Sequence, residues 1–141
     1  MSMTIRGFVA GDMADVVQLW TDCGLVVPWN DPEKDIQRKL KDGAELFLVG
    51  ERDGRLIASL MGGYDGHRGW ANYLAVAPQF QGTGDARKMM EALEARLLDL
   101  GCPKINLQVR DTNVDVLAFY KALGYKRDAA VSLGKRLIPD R

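Results

Sequence analysis

The stretch Gln81-Gly82-Thr83-Gly84-Asp85-Ala86 decides the fold more than any other part of this sequence. It follows an apolar run at residues 73–76 and precedes a long amphipathic pattern over residues 86–100. A small-residue loop between a strand and the first turn of a helix presents unpaired backbone N–H groups, and the helix dipole adds about half a positive charge there. Glycines let an anion approach such a backbone closely because they lack a Cβ. The stretch therefore predicts a phosphate-binding loop.

Patterns on both sides of this loop predict one mixed α/β sheet with helices packed on it. Upstream, they predict a strand over 4–9, a helix capped by Asp12, a helix over 33–40 capped by Asp31 before Pro32, and strands over 46–49, 55–61 and 70–76. Asp53-Gly54 is typical of a hairpin turn, and the glycine-rich segment 62–69 is predicted to be a loop. Downstream, they predict a helix over 86–100, a strand over 105–109, a helix over 113–123 and a strand pair around 125–133.

This order predicts a mostly antiparallel sheet of six or seven strands with about four flanking helices. One connection differs from the others, because the long helix joins the strand ending at Val76 to the strand beginning at Ile105. A strand, a crossover helix and a second strand in one sheet give parallel pairing. We expect the fourth and fifth strands to be parallel.

The amino-acid composition limits the classes of protein to which this chain can belong. The 141 residues are 47% hydrophobic and 27% charged, which predicts a single globular domain over residues 1–141. Nineteen basic and nineteen acidic residues cancel, so we expect no nucleic-acid or membrane partner. No leader or spanning segment is evident, and Cys23 and Cys102 are expected to be free thiols, so the prediction is a cytoplasmic protein. With His67 as the only histidine, no metal site is expected.

The usual nucleotide loops do not match the glycine stretch. A Walker A loop requires a lysine directly after its last glycine, and none follows Gly82 or Gly84 at that spacing. A dinucleotide fingerprint requires a third glycine where Arg87 stands, and it would follow the first strand rather than the fourth. Both readings therefore fail on detail.

The stretch resembles the (Gln/Arg)-x-x-Gly-x-(Gly/Ala) signature of the GNAT superfamily of N-acetyltransferases. Leu74-Ala75-Val76-Ala77-Pro78 upstream, and Asn113 with Phe119-Tyr120 and Leu123-Gly124-Tyr125 downstream, are also similar to that family. The resemblance covers nearly the whole chain. It is closer still to a bacterial subgroup of acetyltransferases known as YpeA-like, and residues 28–32, 61–69, 101–104 and 132–137 carry that likeness.

The resemblance implies a GNAT fold and a set of donor-site residues. In this reading, backbone groups of Leu74 and Val76 hold the pantetheine arm of acetyl-CoA, and Asn113 hydrogen-bonds it. The pyrophosphate would be bound by the loop amides, those of Gln81, Gly82, Thr83, Gly84, Asp85 and Ala86. Tyr120 would be the general acid that protonates the departing CoA thiolate. Tyr120 could alternatively be a core aromatic and Asn113 a helix cap.

Two positions depart from the family pattern. Some relatives place a catalytic glutamate on the fifth strand, where this chain has Gln108, so Asp65, His67 and Glu51 are the candidate bases. The segment containing Asp65 and His67 could instead be an ordinary solvated loop. Asp85 stands where an apolar residue is usual, and a carboxylate there would oppose a bound pyrophosphate. We hypothesise that Asp85 weakens CoA binding while pointing away from the phosphates.

The predicted activity is direct transfer of acetyl from acetyl-CoA to a primary amine, without a metal. The alternatives are a catalytically degenerate acetyl-CoA-binding regulatory module and a partner-binding protein with no CoA site. The acceptor stays open between a protein N-terminus, a lysine side chain and a small amine. The family also leaves a homodimer open.

Overall fold

The computed structural model describes residues 2–140, and in that range the chain forms five strands and four α-helices. In chain order they are β1 (Thr4–Gly7), α1 (Met13–Asp22), α2 (Pro32–Asp42), β2 (Phe47–Arg52), β3 (Arg55–Tyr64), β4 (Gly69–Val76), α3 (Asp85–Asp99), β5 (Ile105–Leu107) and α4 (Val114–Ala122). Two compact units can be distinguished: one contains residues 2–107 with Asp140, and the other is Gln108–Pro139. The single-domain reading stays a prediction.

The first unit is built on one mixed sheet with the strand order β1-β2-β3-β4-β5. The first four strands are antiparallel neighbours, while β4 and β5 run parallel as predicted. The prediction of six or seven strands was wrong, because residues 125–133 form no strand. Val131 and Leu133 in that segment are 84% and 90% exposed, so these two side chains lack the burial that stabilises a strand.

α1 and α3 cover the two faces of this sheet. The indole of Trp20 on α1 is fully buried and donates to Ser59 on β3, 2.8 Å away. Three residues further along β3, Gly62 lies against Leu93 of α3. Positions three apart in a strand face opposite sides of a sheet. The apolar core therefore has two layers, and the α3 layer includes Met89, Met90, Leu93 and Leu97.

Half of the glycine-rich segment 62–69 is strand, although a loop was predicted for all of it. Gly62 and Gly63 belong to β3 and Gly69 begins β4, which leaves a turn at residues 65–68. A Cβ on Gly62 would clash with Leu93 and lie 2.8 Å from the carbonyl oxygen of Leu46, and one on Gly69 would lie 2.7 Å from Leu97. These two glycines thus allow α3 to approach the sheet closely. In a sequence, a glycine that permits close packing looks the same as a glycine that forms a turn.

Gly62→Ala is expected to destabilise the first unit by about 1–3 kcal/mol, because the added methyl meets a backbone oxygen that cannot move aside. The matched control is Gly11→Ala, where a Cβ meets nothing within 4 Å. Chemical denaturation of both variants measures the difference. Equal stability of the two would contradict this account of the segment.

Of the two predicted helix caps and the predicted hairpin turn, one cap and the turn are confirmed. Asp31 caps α2 as predicted, since its carboxylate accepts from the N–H groups of Glu33 and Lys34. The Asp53-Gly54 turn is also confirmed, with positive φ at both residues (52° and 77°). Asp12 was expected to cap α1, but its side chain instead accepts from Arg6 at 2.8 and 2.9 Å and from the N–H of Val9. The Arg6 guanidinium lowers the pKa of this carboxyl.

Candidate active site

β4 and β5 diverge after a short parallel contact. They pair only where Gly69–Ala71 of β4 meets Ile105–Leu107. β4 continues to Val76, whereas β5 ends at Leu107, two residues before the predicted end of this strand. Within residues 2–140, the rest of β4 therefore has no strand partner on its β5 side. This leaves an open strand edge at which an extended ligand can add.

The backbone of Val76 points toward that open edge. Opposed residues of an antiparallel pair alternate between those that exchange hydrogen bonds and those that do not. Because Ala77 donates its N–H to Ile57, the pair Ala58–Val76 is of the second kind. The carbonyl of Val76 accepts from the side-chain amide of Gln81 at 3.0 Å and from the thiol of Cys23 at 3.2 Å, while its N–H faces the edge. Burial raises the pKa of the Cys23 thiol.

A β-bulge interrupts β4 just before Val76. Ser59 pairs with Ala75 but Met61 pairs with Asn72, so Tyr73 and Leu74 together oppose the single residue Leu60. Tyr73 has a left-handed backbone (φ 53°), which is uncommon for a residue with a side chain. Bulges redirect side chains and are frequent beside active sites. This one lies at Tyr73 and Leu74, and Leu74 is one of the two positions at which the resemblance places the pantetheine arm.

The Tyr73 side chain is fixed on both sides. Its ring stacks on that of Trp20, with centroids 3.8 Å apart, and its hydroxyl donates to Asp35 of α2 at 2.6 Å. Burial and the neighbouring Asp35 carboxylate raise the pKa of the phenol, which stays protonated at neutral pH. The bulge is thus attached to α1 by stacking and to α2 by a hydrogen bond. Neither Tyr73 nor Asp35 belongs to a recognisable sequence motif, so the sequence predicts no role for either residue.

The glycine loop has the geometry expected of an anion site. Gly82 and Gly84 have positive φ (80° and 88°), and a Cβ at either would meet nothing within 4 Å. α3 begins at Asp85, one residue before the predicted start, so the first helical N–H groups follow the loop directly. The hydroxyl of Thr83 donates to the carbonyl of Phe80 and holds the loop to the preceding turn. The loop therefore combines glycine backbone that is not sterically blocked with the N–H groups of a helix N-terminus.

Asp85 is buried in an ion pair with Arg52, a partner that the sequence does not predict. Its side chain is 1% exposed and accepts from both terminal nitrogens of Arg52, at 2.8 and 3.0 Å. The Arg52 guanidinium also lies 5.1 Å from the ring centroid of Phe80 and lowers the pKa of the Asp85 carboxyl. The pair joins the end of β2 to the start of α3. One sequence signal did point to such a pair. Asp85 stands where an apolar residue is usual in the family, and a buried carboxylate needs a cationic partner.

A groove lies between α2 and the strands β3 and β4, next to the bulge. It has a volume of about 590 Å³, and its charged wall is supplied by α2 while Met61 and Tyr73 line the sheet side. The α2 residues concerned are Asp35, Arg38, Lys39 and Asp42. An adjoining cavity of about 310 Å³ extends toward Tyr64 and Trp70. Both cavities lie within the first unit.

The three candidate bases do not come together. Asp65 and His67 lie in the β3–β4 turn, where the Asp65 carboxylate accepts from the N–H groups of His67 and Arg68 and from the indole of Trp70. These bonds lower the pKa of Asp65 to about 2, so it is a weak base. His67 is exposed. Glu51 on β2 accepts from Arg6 at 2.6 and 3.0 Å and is already part of an ion pair.

The second unit contains the other two predicted site residues. Asn113 is the N-cap of α4, where its side-chain oxygen accepts from the N–H of Val116 at 3.4 Å. Tyr120 packs edge-on against Phe119 and Tyr125, and burial raises the pKa of its phenol to about 12. Gln108 follows β5 and donates to the hydroxyl of Ser132. Helix capping and aromatic packing are therefore both present, whatever further roles these residues have.

The described part of the chain lacks both a metal-binding cluster and a membrane-spanning helix. Residues 2–140 contain no group of three or more histidine, cysteine, aspartate or glutamate side chains that could hold a metal ion. In the same range, none of the helices combines the length and apolar character needed to cross a bilayer.

Comparison with known proteins identifies the family. Residues 13–125 match the model of the acetyltransferase (GNAT) family. An acetyltransferase from Yersinia enterocolitica is 50% identical over 139 residues, which is 99% of each chain. Ard1 from Thermoplasma volcanium has the same fold with a TM-score of 0.81 and 22% identity, covering 92% of this chain and 86% of its own. A predicted acetyltransferase from Clostridium acetobutylicum, solved with acetyl-CoA, gives a TM-score of 0.72 at 18% identity, covering 94% and 96%.

The family match spans most of the chain and the Yersinia relative spans nearly all of it. The glycine loop, the bulged fourth strand and the parallel fifth strand lie within the matched residues. The chain belongs to the acetyltransferase (GNAT) family and is an acyltransferase.

Proposed function

We propose that the protein transfers an acetyl group directly from acetyl-CoA to a primary amine. The observation that carries this proposal is the open edge of β4, which runs from the bulge at Tyr73 to Val76 and is followed by the glycine loop. An extended arm with an amide-rich chain fits a strand edge, and a pyrophosphate fits a helix N-terminus. Acetyl-CoA has both parts in this order.

The donor residues follow from that placement. The N–H of Val76 binds the pantetheine arm, and the backbone at Leu74 polarises the thioester carbonyl as an oxyanion donor does. The pyrophosphate lies on the amides of residues 81–86. By resemblance to the family, Asn113 binds the pantetheine arm and Tyr120 acts as the general acid.

The transfer itself is a single displacement. The lone pair of the neutral amine attacks the thioester carbonyl carbon, the carbon–sulfur bond breaks, and the sulfur leaves with the electron pair as a thiolate. Tyr120 gives its proton to that thiolate. A phenol with a pKa of about 12 is fully protonated at neutral pH and can supply this proton. The amine nitrogen releases one proton before the attack and one after it.

The first of these protons needs an acceptor, because an alkylamine with a pKa of about 10.4 arrives as an ammonium ion. Among the candidates from the sequence, Asp65 is disfavoured by its low pKa and Glu51 by its ion pair with Arg6. His67 stays the candidate side chain, with water in the groove as the route to bulk solvent.

An acetyl-CoA consumption assay tests the proposal. Free CoA thiol is measured with peptides and small amines as acceptors, and calorimetry measures acetyl-CoA binding separately. We expect saturable, amine-dependent thiol release and acetyl-CoA binding that is lost in Gly84→Val, because valine cannot adopt the positive φ of that position without strain. Binding without turnover on any amine would favour the regulatory module. No binding at all would favour a protein without a CoA site.

A further inference from the structure

We propose that the acceptor is a small primary amine that also carries a carboxylate, as a free amino acid does. Its ammonium group would lie at Asp35 and its carboxylate at Lys39, both in the groove beside the bulge. This inference rests on the proposed function, since it names the class of amine that the same site acetylates.

Asp35 supplies a net negative charge at the end of the groove nearest the bulge. Its Oδ2 accepts from Tyr73, and its Oδ1 lies 3.5 Å from Arg38. Arg38 is held more closely by the fully buried carboxylate of Asp140, at 2.7 Å, and that pair is neutral. Asp35 keeps lone pairs for a further donor, because an ionised carboxylate accepts about four hydrogen bonds. An ammonium group bound here is adjacent to Tyr73 and thus to the proposed thioester.

Lys39 supplies a positive charge that lacks a close partner. Its side chain is 13% exposed, and its one ion pair within residues 2–140 is with Asp42 at 3.9 Å. The Asp42 side chain is 82% exposed, so water screens that attraction. The ammonium group fits beside Gly63, where a Cβ would lie 3.1 Å from its nitrogen. A largely buried cation with a distant, solvated partner favours an anionic ligand.

The spacing of these two charges selects the class of acceptor. Asp35 and Lys39 are four residues apart on α2, so their side chains are neighbours on one helix face with Cβ atoms about 5–6 Å apart. An amine and a carboxylate on the same or adjacent carbons can contact both groups at once. A polyamine would place a second cation against Lys39, and a protein N-terminus would offer it a neutral amide. The adjoining cavity beside Tyr64 and Trp70 can take an apolar side chain.

Matched pairs of acceptors test this inference. Each pair consists of an amino acid and the amine left when its carboxylate is removed, for example phenylalanine with phenethylamine. For the parent protein we expect kcat/KM to be at least tenfold higher for the amino acid, because one charge-assisted contact is gained. Lys39→Met should remove this preference, because it should raise KM for the amino acid at least tenfold more than KM for the plain amine. Lys39→Arg should retain most of it.

The control is Lys41→Met, which removes an exposed lysine of the same helix and should leave the preference intact. This inference would be overturned if the parent protein had an equal or higher kcat/KM for the plain amines. It would also be overturned if Lys39→Met lowered kcat/KM equally for both members of a pair. Either result would leave the N-acetyltransferase proposal standing. Absence of acetylation on every amine, with the parent protein folded, would overturn both.

Discussion

Asp85→Ile is expected to lower the free energy of unfolding by about 3 kcal/mol, because it leaves the Arg52 guanidinium largely buried without its carboxylate. The same variant should bind acetyl-CoA severalfold more tightly. It removes a negative charge from the first residue of α3 and leaves a positive charge close to the proposed pyrophosphate. Denaturant unfolding measures the first effect and calorimetric titration with acetyl-CoA the second.

The double variant Asp85→Ile with Arg52→Leu separates the two effects. Replacing both members of a buried ion pair by apolar residues is often neutral, so stability should largely return. The dissociation constant for acetyl-CoA should then return to within about twofold of the parent value, because the parent pair and its apolar replacement are both neutral. Asp99→Ala, an exposed acid at the last position of α3, controls for loss of a charge on this helix. An Asp85→Ile variant as stable as the parent would refute the structural role of the pair. Unchanged acetyl-CoA affinity in that variant would refute the hypothesis that Asp85 opposes the pyrophosphate.

Tyr120→Phe is expected to lower kcat about 10²–10⁴-fold with little change in the KM for acetyl-CoA, because it removes only the proton that the departing thiolate needs. The ring is kept, so the edge-on packing against Phe119 and Tyr125 should survive. Steady-state kinetics with a saturating amine measures the effect, and thermal unfolding checks that the fold is unchanged.

Tyr125→Phe is the control for Tyr120, because it removes a phenol hydroxyl from the same aromatic cluster. Its kcat should stay close to that of the parent. The burial that raises the pKa of Tyr120 to about 12 also predicts that this phenol does not titrate in assays between pH 6 and 9. Turnover by Tyr120→Phe equal to that of the parent would exclude the assigned acid role.

Much of the fold follows from local signals in the sequence. The N-cap at Asp31, the hairpin turn at Asp53-Gly54 and the glycine loop before α3 are each specified by the conformations that those residues favour. The parallel pairing of β4 and β5 follows from the crossover helix between them. Predictions failed where a residue contacts another element of the fold: Gly62 of β3 allows α3 to pack closely, and Asp12 binds Arg6 of β1 instead of capping α1.

The candidate site likewise combines features that the sequence predicts with features that only the structure shows. Sequence by itself determined the glycine loop and pointed to the family, because a backbone suited to anions needs particular residues at fixed short spacings. Only the tertiary structure decided the ion pair at the start of α3 and the shape of the groove between α2 and the sheet. Asp85 meets Arg52 across 33 positions, and Tyr73 meets Asp35 across 38. No local pattern specifies such pairs, since side chains far apart in the chain are brought together only by the packing of the sheet and its helices.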